Sequence, residues 1–121
     1  YCPRTHAHFS HAPHRYREML AAGINVALAT DSLASTPDLS PLNEARFVYR
    51  RDRTSPQVLL EMITANAARA LGMDESRGSL TAGKAADFVS FDLPSAADPL
   101  AALLQSTDSP STVYLAGQCV R

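Results

Sequence analysis

The most continuous apolar stretch is Ile24-Asn25-Val26-Ala27-Leu28-Ala29-Thr30, which stops abruptly at Asp31. It lacks regular polar alternation, so it predicts a strand buried on both faces, as in a parallel sheet. Ahead of it, Tyr16, Met19 and Leu20 recur at helical spacing, Pro13 suits a first helical residue and Gly23 a C-terminal cap. Residues 4–14 hold Arg4 and the histidines His6, His8, His11 and His14, and read as a polar loop. Tyr1-Cys2-Pro3 reads as the tail of a strand that begins upstream, so a fragment of a longer protein is expected. Loop, helix, glycine, strand is one αβ step of a parallel sheet.

Ser, Thr, Pro and Asp crowd residues 32–40 and predict a loop straight after that strand. Ser40-Pro41 is a helix start, with the serine as N-cap and the proline in the first turn. Leu42, Ala45, Phe47, Val48 and Tyr49 give this helix an apolar side, and Arg50, Arg51 and Arg53 end it at the negative pole of its dipole. Ser55-Pro56 repeats the start signal for a third helix to about Leu71, with Val58, Leu59, Met62 and Ile63 as its stripe and Gly72 closing it. The period then changes. Turn residues fill Gly78 to Lys84, Phe88, Val89 and Phe91 mark a strand within 87–91, and a short helix is expected around Leu100–Leu104. Val113 to Val120, interrupted by Ala116-Gly117, reads as a terminal hairpin.

Bulk properties narrow the class. The chain has 121 residues, 45% hydrophobic and 19% charged, which fits one globular domain or a piece of a larger one. A net charge of −1 gives no basic excess to attract nucleic acid or an anionic membrane. No apolar stretch reaches the roughly 18 residues of a membrane span, and Cys2 and Cys119 have no paired-motif spacing. A cytoplasmic protein acting on a small molecule is expected.

Asp31 is the leading candidate for chemistry. A charge at the C-terminal end of a buried parallel strand lies where α/β folds place their active sites. A carboxylate there can ligate a metal, accept a proton or do both, and the plain alternative is a turn or cap residue. His6-Ala7-His8 has the spacing of two ligands on one face of a strand, with substrate contact and a solvated loop as the other readings. Ser32 has no identifiable base and reads as a turn hydroxyl, and Lys84 reads as structural.

Four segments together resemble a known family. Cys2-Pro3-Arg4-Thr5-His6 resembles the segment after the penultimate barrel strand of amidohydrolase-superfamily enzymes. Ala22-Gly23 through Thr30-Asp31-Ser32 resembles their last strand. Thr64-Ala65-Asn66-Ala67-Ala68-Arg69-Ala70-Leu71-Gly72 resembles their T-x-N-x-A-x-x-L-G helix. Gly78-Ser79-Leu80-Thr81-Ala82-Gly83-Lys84-Ala85-Ala86-Asp87 resembles their return to a small accessory β domain. The nearest branch holds cytosine-deaminase-like, chlorohydrolase-like and nucleoside-deaminase-like enzymes.

The resemblance implies an α/β fold: the C-terminal part of a metal-dependent-hydrolase (β/α)8 TIM barrel over 1–77 and part of an accessory β element over 78–121. It implies hydrolysis of non-peptide carbon–nitrogen bonds, first as deamination of a heterocycle or nucleoside-like substrate, with dechlorination of a similar ring close behind. It also implies a divalent metal (zinc first, iron or manganese as alternatives) held mostly by residues outside this chain. Asp31 would be the catalytic carboxylate, moving a proton of the metal-bound water, and a metal contact. Arg4, His6 and His8 would bind substrate, and the full-length parent could be a homo-oligomer. Ala29 stands where the family has glycine, and Thr5-His6 where it has Ser-Asn. The rival expectation is a truncated chain or small binding module that lacks the main metal ligands and has no activity alone.

Overall fold

The computed structural model describes residues 1–121. In chain order the elements are α1 (Pro3–His8), α2 (Tyr16–Ala21), α3 (Pro41–Asp52), α4 (Pro56–Ile63), α5 (Ala65–Ala70), β1 (Phe88–Ser90), α6 (Pro99–Gln105), β2 (Thr112–Leu115) and β3 (Gln118–Cys119). No helix is long and apolar enough to cross a membrane. Both serine–proline helix starts form, but Ser55 makes no side-chain cap bond where Ser40 does. Ser40 Oγ accepts from the Asn43 N–H at 3.2 Å, Pro56 opens α4 after Ser55, and Asp98 caps α6 through the Ala101 N–H at 2.9 Å. Each cap satisfies a helix-end donor that has no partner within the helix.

Four local expectations are corrected. Residues 4–14 are not all loop, because Pro3 starts a helix that runs through His8. Pro3 has its fixed φ at a first-turn position, and its buried ring anchors the helix. Pro13 does not start α2, which begins at Tyr16. His14 instead lies flat on the Tyr1 ring, with centroids 4.0 Å apart and planes 9° from parallel, and that stack holds the preceding segment out of the helix. The third helix is broken at Thr64, whose φ −124° and ψ −90° separate α4 from α5.

The fourth correction bears on function. Residues 24–31 are extended but form no regular strand, and they are buried on one face only. Val26 and Leu28 are 5% and 2% exposed, whereas Asn25, Ala29 and Asp31 on the alternate face are open. Period-two geometry explains the split: the helices cover one face and nothing in the chain covers the other. The edges are held separately. Tyr1 donates to the Ala27 carbonyl and accepts from the Ala29 N–H, both at 2.9 Å, in the pattern of a parallel neighbour. On the other edge the Leu28 N–H reaches the Met62 carbonyl at 3.0 Å. Asn66 Nδ2 donates to the Val26 carbonyl at 3.1 Å, while Asn25 Nδ2 returns a bond to the Asn66 carbonyl at 3.0 Å. The break at Thr64 turns these groups toward the extended segment.

The core joins Val26 and Leu28 to Tyr16, Ala45, Val48, Leu59, Met62 and Leu104. α6 packs back on α3 and α4, so it belongs with the helices even though β1 precedes it. Arg46, 4% exposed, fixes that return by donating to the Leu103 and Asp108 carbonyls at 3.2 and 2.8 Å, at the carbonyl-rich end of α6. The sheet is antiparallel in the order β1-β2-β3, with Phe88 opposite Tyr114 and Tyr114 opposite Cys119. Ala116 and Gly117, at φ 48° and 79°, make the hairpin turn. Lys84 donates to the carbonyls of Asp74 and Arg77, and Asp87 accepts from the Ala116 N–H at 2.7 Å, so the glycine–lysine segment ties the helical part to the hairpin.

Gly78 is the tightest glycine. At φ +86°, an added Cβ would sit 2.5 Å from the Ala68 Cβ and 3.2 Å from the Thr64 carbonyl oxygen. Gly78→Ala should therefore destabilise the protein by about 2 kcal/mol through backbone strain and overpacking. A thermal midpoint indistinguishable from the parent's would refute this account of the contact.

Candidate active site

Asp31 ends the extended segment on its open face, and its carboxylate is exposed. The chain then folds into a tight turn. The N–H groups of Ser35 and Thr36 both donate to the Ser32 carbonyl at 3.1 Å, and Ser32 Oγ accepts from the Ala34 N–H at 3.3 Å. Ser32 is thus the expected turn hydroxyl. The turn places Ser35 Oγ 3.3 Å from Asp31 Oδ2 and 2.8 Å from Thr5 Oγ1 on α1. Cys2 lies in the same neighbourhood. Burial pushes its thiol pKa up, and the negative charges of Asp31 and Glu44 add to the rise. It is a protonated thiol at neutral pH, and so a poor nucleophile.

Behind this turn is an ion-pair clamp. Arg4 Nε donates to Glu44 Oε1 at 2.7 Å, and the Arg4 N–H to Glu44 Oε2 at 2.9 Å. The far end of the guanidinium grips Asp38 with two side-chain bonds, at 3.0 and 2.8 Å, and one to its carbonyl at 3.0 Å. The Asp38 carboxylate also accepts from the Ser40 N–H and Asn43 Nδ2. The Glu44 side chain is 0% exposed and that of Arg4 12%. The Arg4 guanidinium holds the Asp38 carboxyl well below the usual carboxylate range. Its contribution to stability is therefore present above the unfolded value of about 3.9 and is lost as pH falls through the lower folded value. Arg4, expected at the substrate, lines neither main cavity. It pins α1 to α3 and to the loop after Asp31.

α1 also divides the histidines. Residues two apart on a helix are rotated about 200° from each other, so His6 and His8 diverge where a strand would have aligned them. His6 faces an open cavity of about 410 Å³ with His11, His14, Arg17, Arg51 and Asp52. His8 lines a second, shallower cavity of about 280 Å³ with Leu33, Ser35 and Thr36, on the Asp31 side. In the first cavity His14 has a buried Nδ1 with no hydrogen-bond partner, and burial lowers its pKa. Arg17 and Arg51 there are both engaged by Asp52.

No three His, Cys, Asp or Glu side chains converge in metal-holding geometry. Asp31 offers one exposed carboxylate with an unengaged oxygen, so the residues present fit a single ligand position and not a complete site. Sequence reasoning missed Ser35, Thr5, Asp38 and Glu44. Ser35 and Thr5 had a weak local signal, being hydroxyls inside two segments already singled out. Asp38 and Glu44 meet Arg4 across 34 and 40 residues, which no local pattern shows.

A helix-backed extended segment that ends in an open carboxylate, followed by a helix break and a small antiparallel sheet, makes this a mixed α/β structure. The chain belongs to the amidohydrolase family, whose model matches residues 2–120. It is 36% identical over 101 residues to the 5-methylthioadenosine/S-adenosylhomocysteine deaminase of Moorella thermoacetica, covering 77% of this chain and 24% of that protein. Its structure is similar to an adenosine deaminase from Xanthomonas campestris with bound zinc, at TM-score 0.87 and 26% identity, over 98% of this chain and 30% of that one. It is also similar to the zinc complex of atrazine chlorohydrolase from Arthrobacter aurescens, at TM-score 0.85 and 26% identity, over 99% of this chain and 30% of that one. The chain spans about a quarter of the length of the curated relative, at 24%.

Proposed function

We propose that residues 1–77, with α6 laid against them, are the closing segment of a (β/α)8 barrel, and that β1, β2 and β3 belong to an accessory β element. The full-length protein that carries them is a metal-dependent hydrolase of non-peptide carbon–nitrogen bonds, an aminohydrolase of a heterocyclic or nucleoside-like substrate. One observation carries this reading: Asp31 stands at the end of an extended segment whose helix-facing side is sealed and whose opposite side is uncovered. The deaminase and chlorohydrolase relatives support the reaction class, and the zinc in two of them supports zinc as the metal.

In this reading, a bound divalent metal supplies Lewis acidity and lowers the pKa of its water from about 15.7 to near 7. Asp31 contributes one ligand oxygen, takes the proton of the attacking water and returns it to the departing amine nitrogen. His8 and Leu33, which line the cavity beside the Asp31 turn, are placed to contact the substrate ring, and His6 faces the other cavity, across α1. The Arg4 clamp keeps α1 and the turn in register. The remaining ligands come from outside residues 1–121, so these residues alone turn over nothing.

The test is ammonia release from adenosine-type nucleosides and aminated heterocycles by purified full-length protein. Activity should be lost when chelation strips the metal and return with stoichiometric zinc. Undiminished turnover after verified metal removal would refute the metal-dependent reading.

A further inference from the structure

We propose that Ser35 is a positioning residue for Asp31, and that Thr5 sets the direction of the hydroxyl chain that reaches it. The catalytic consequence rests on the role of Asp31 proposed above, but the bonding argument does not. Ser35 is 8% exposed, and its hydroxyl carries one proton. Three oxygens lie within reach: Thr5 Oγ1 at 2.8 Å, Asp31 Oδ2 at 3.3 Å and the Ser32 carbonyl at 3.3 Å.

The neighbours decide where that proton goes. The Ser32 carbonyl already accepts from the Ser35 and Thr36 N–H groups, both at 3.1 Å, which fills its two lone pairs, and the single Thr36 hydroxyl proton has the Asp38 carbonyl closer, at 2.9 Å. Thr5 Oγ1 has Ser35 as its hydrogen-bond partner and no other acceptor, so it donates to Ser35. The Ser35 proton is left for the carboxylate, which is also the strongest acceptor of the three. The chain therefore runs Thr5 to Ser35 to Asp31.

Asp31 has no other hydrogen-bond partner in the chain. An exposed aspartate held at one oxygen by a buried hydroxyl keeps one rotamer, with Oδ1 free and a lone pair of Oδ2 still open, enough for one metal contact and one proton. Without that bond the side chain samples its other staggered positions. The donor end is equally fixed, because the Arg4 N–H next to Thr5 is bonded to buried Glu44.

The experiment uses the full-length, zinc-loaded protein. Ser35→Ala should lower kcat by about ten- to a hundredfold, with KM changed by less than about twofold. Its thermal midpoint should stay at the parent's value, and Ser35→Thr, which keeps the hydroxyl, should recover most of kcat. Thr5→Val, nearly isosteric, should give a smaller loss, and the double variant should be no slower than Ser35→Ala, because the two groups act as one chain. A crystal structure of Ser35→Ala should show Asp31 in a different or mixed rotamer. A parental kcat in Ser35→Ala, or strictly additive losses in the double variant, would overturn the proposal. If Ser35→Ala alters folding, Thr5→Val with a parental kcat overturns it independently. An inactive Asp31→Asn beside a fully active Ser35→Ala would sink this inference alone, whereas an active Asp31→Asn would sink the functional reading beneath it.

Discussion

Asp31→Asn in the full-length protein should cut turnover by about 10²- to 10⁴-fold, the usual contribution of a general acid–base group. The substitution keeps the shape of the side chain and one oxygen able to face a metal, but removes the site that takes the proton. Zinc content should fall only modestly, because the other ligands would lie outside these residues. A turn or capping role predicts the opposite pattern, with a lower thermal midpoint and intact kcat. The structure argues against that role: within the chain the Asp31 side chain is bonded by Ser35 alone, so little stability depends on its charge. Near-normal turnover in Asp31→Asn would end the assignment.

The largest effect on stability is expected at Glu44. Its side chain is 0% exposed and accepts two bonds from Arg4. Glu44→Leu leaves a largely buried guanidinium with Asp38 as its sole carboxylate partner, and removing one member of a buried pair costs about 3 kcal/mol or more. Urea unfolding should show the loss as a lower midpoint with a similar slope. Replacing both ends, as Arg4→Met with Glu44→Leu, should recover much of it, because an apolar pair of similar volume carries no desolvation penalty. If the single and double variants are equally unstable, packing and not charge governs the clamp.

Elements with a strong local cause were readable in the amino-acid order. Ser40-Pro41 starts a helix through a serine cap and a first-turn proline, and Ser55-Pro56 through the proline alone, causes that act within one turn, and the terminal hairpin follows from two residues that adopt positive φ. The end of the apolar run at Asp31 was also legible, although the segment it closes is extended backbone and not the expected regular strand. What escaped depends on distant partners. α1 forms in a histidine-rich stretch that reads as loop, held by Arg4 reaching 40 residues along the chain to Glu44. The continuous apolar run at 24–31 suggests two covered faces, yet alternation between Val26 or Leu28 and the small residues Ala27 and Ala29 follows which side the helices occupy. The kink at Thr64 is not marked by any glycine or proline, because its cause is the meeting of Met62 and Asn66 with the edge of another segment.

That meeting has a consequence for how the molecule can associate. An extended segment with free N–H and C=O groups along its side invites a further strand to dock there. Here two groups of one flank are already taken, by a helix-end carbonyl and an asparagine amide, while the Tyr1 flank is the side on which a neighbour lies in parallel. The arrangement gives the segment a polarity across its width. A first barrel strand closing on this segment would meet it at groups other than the Leu28 N–H and the Val26 carbonyl, which the helix break already holds.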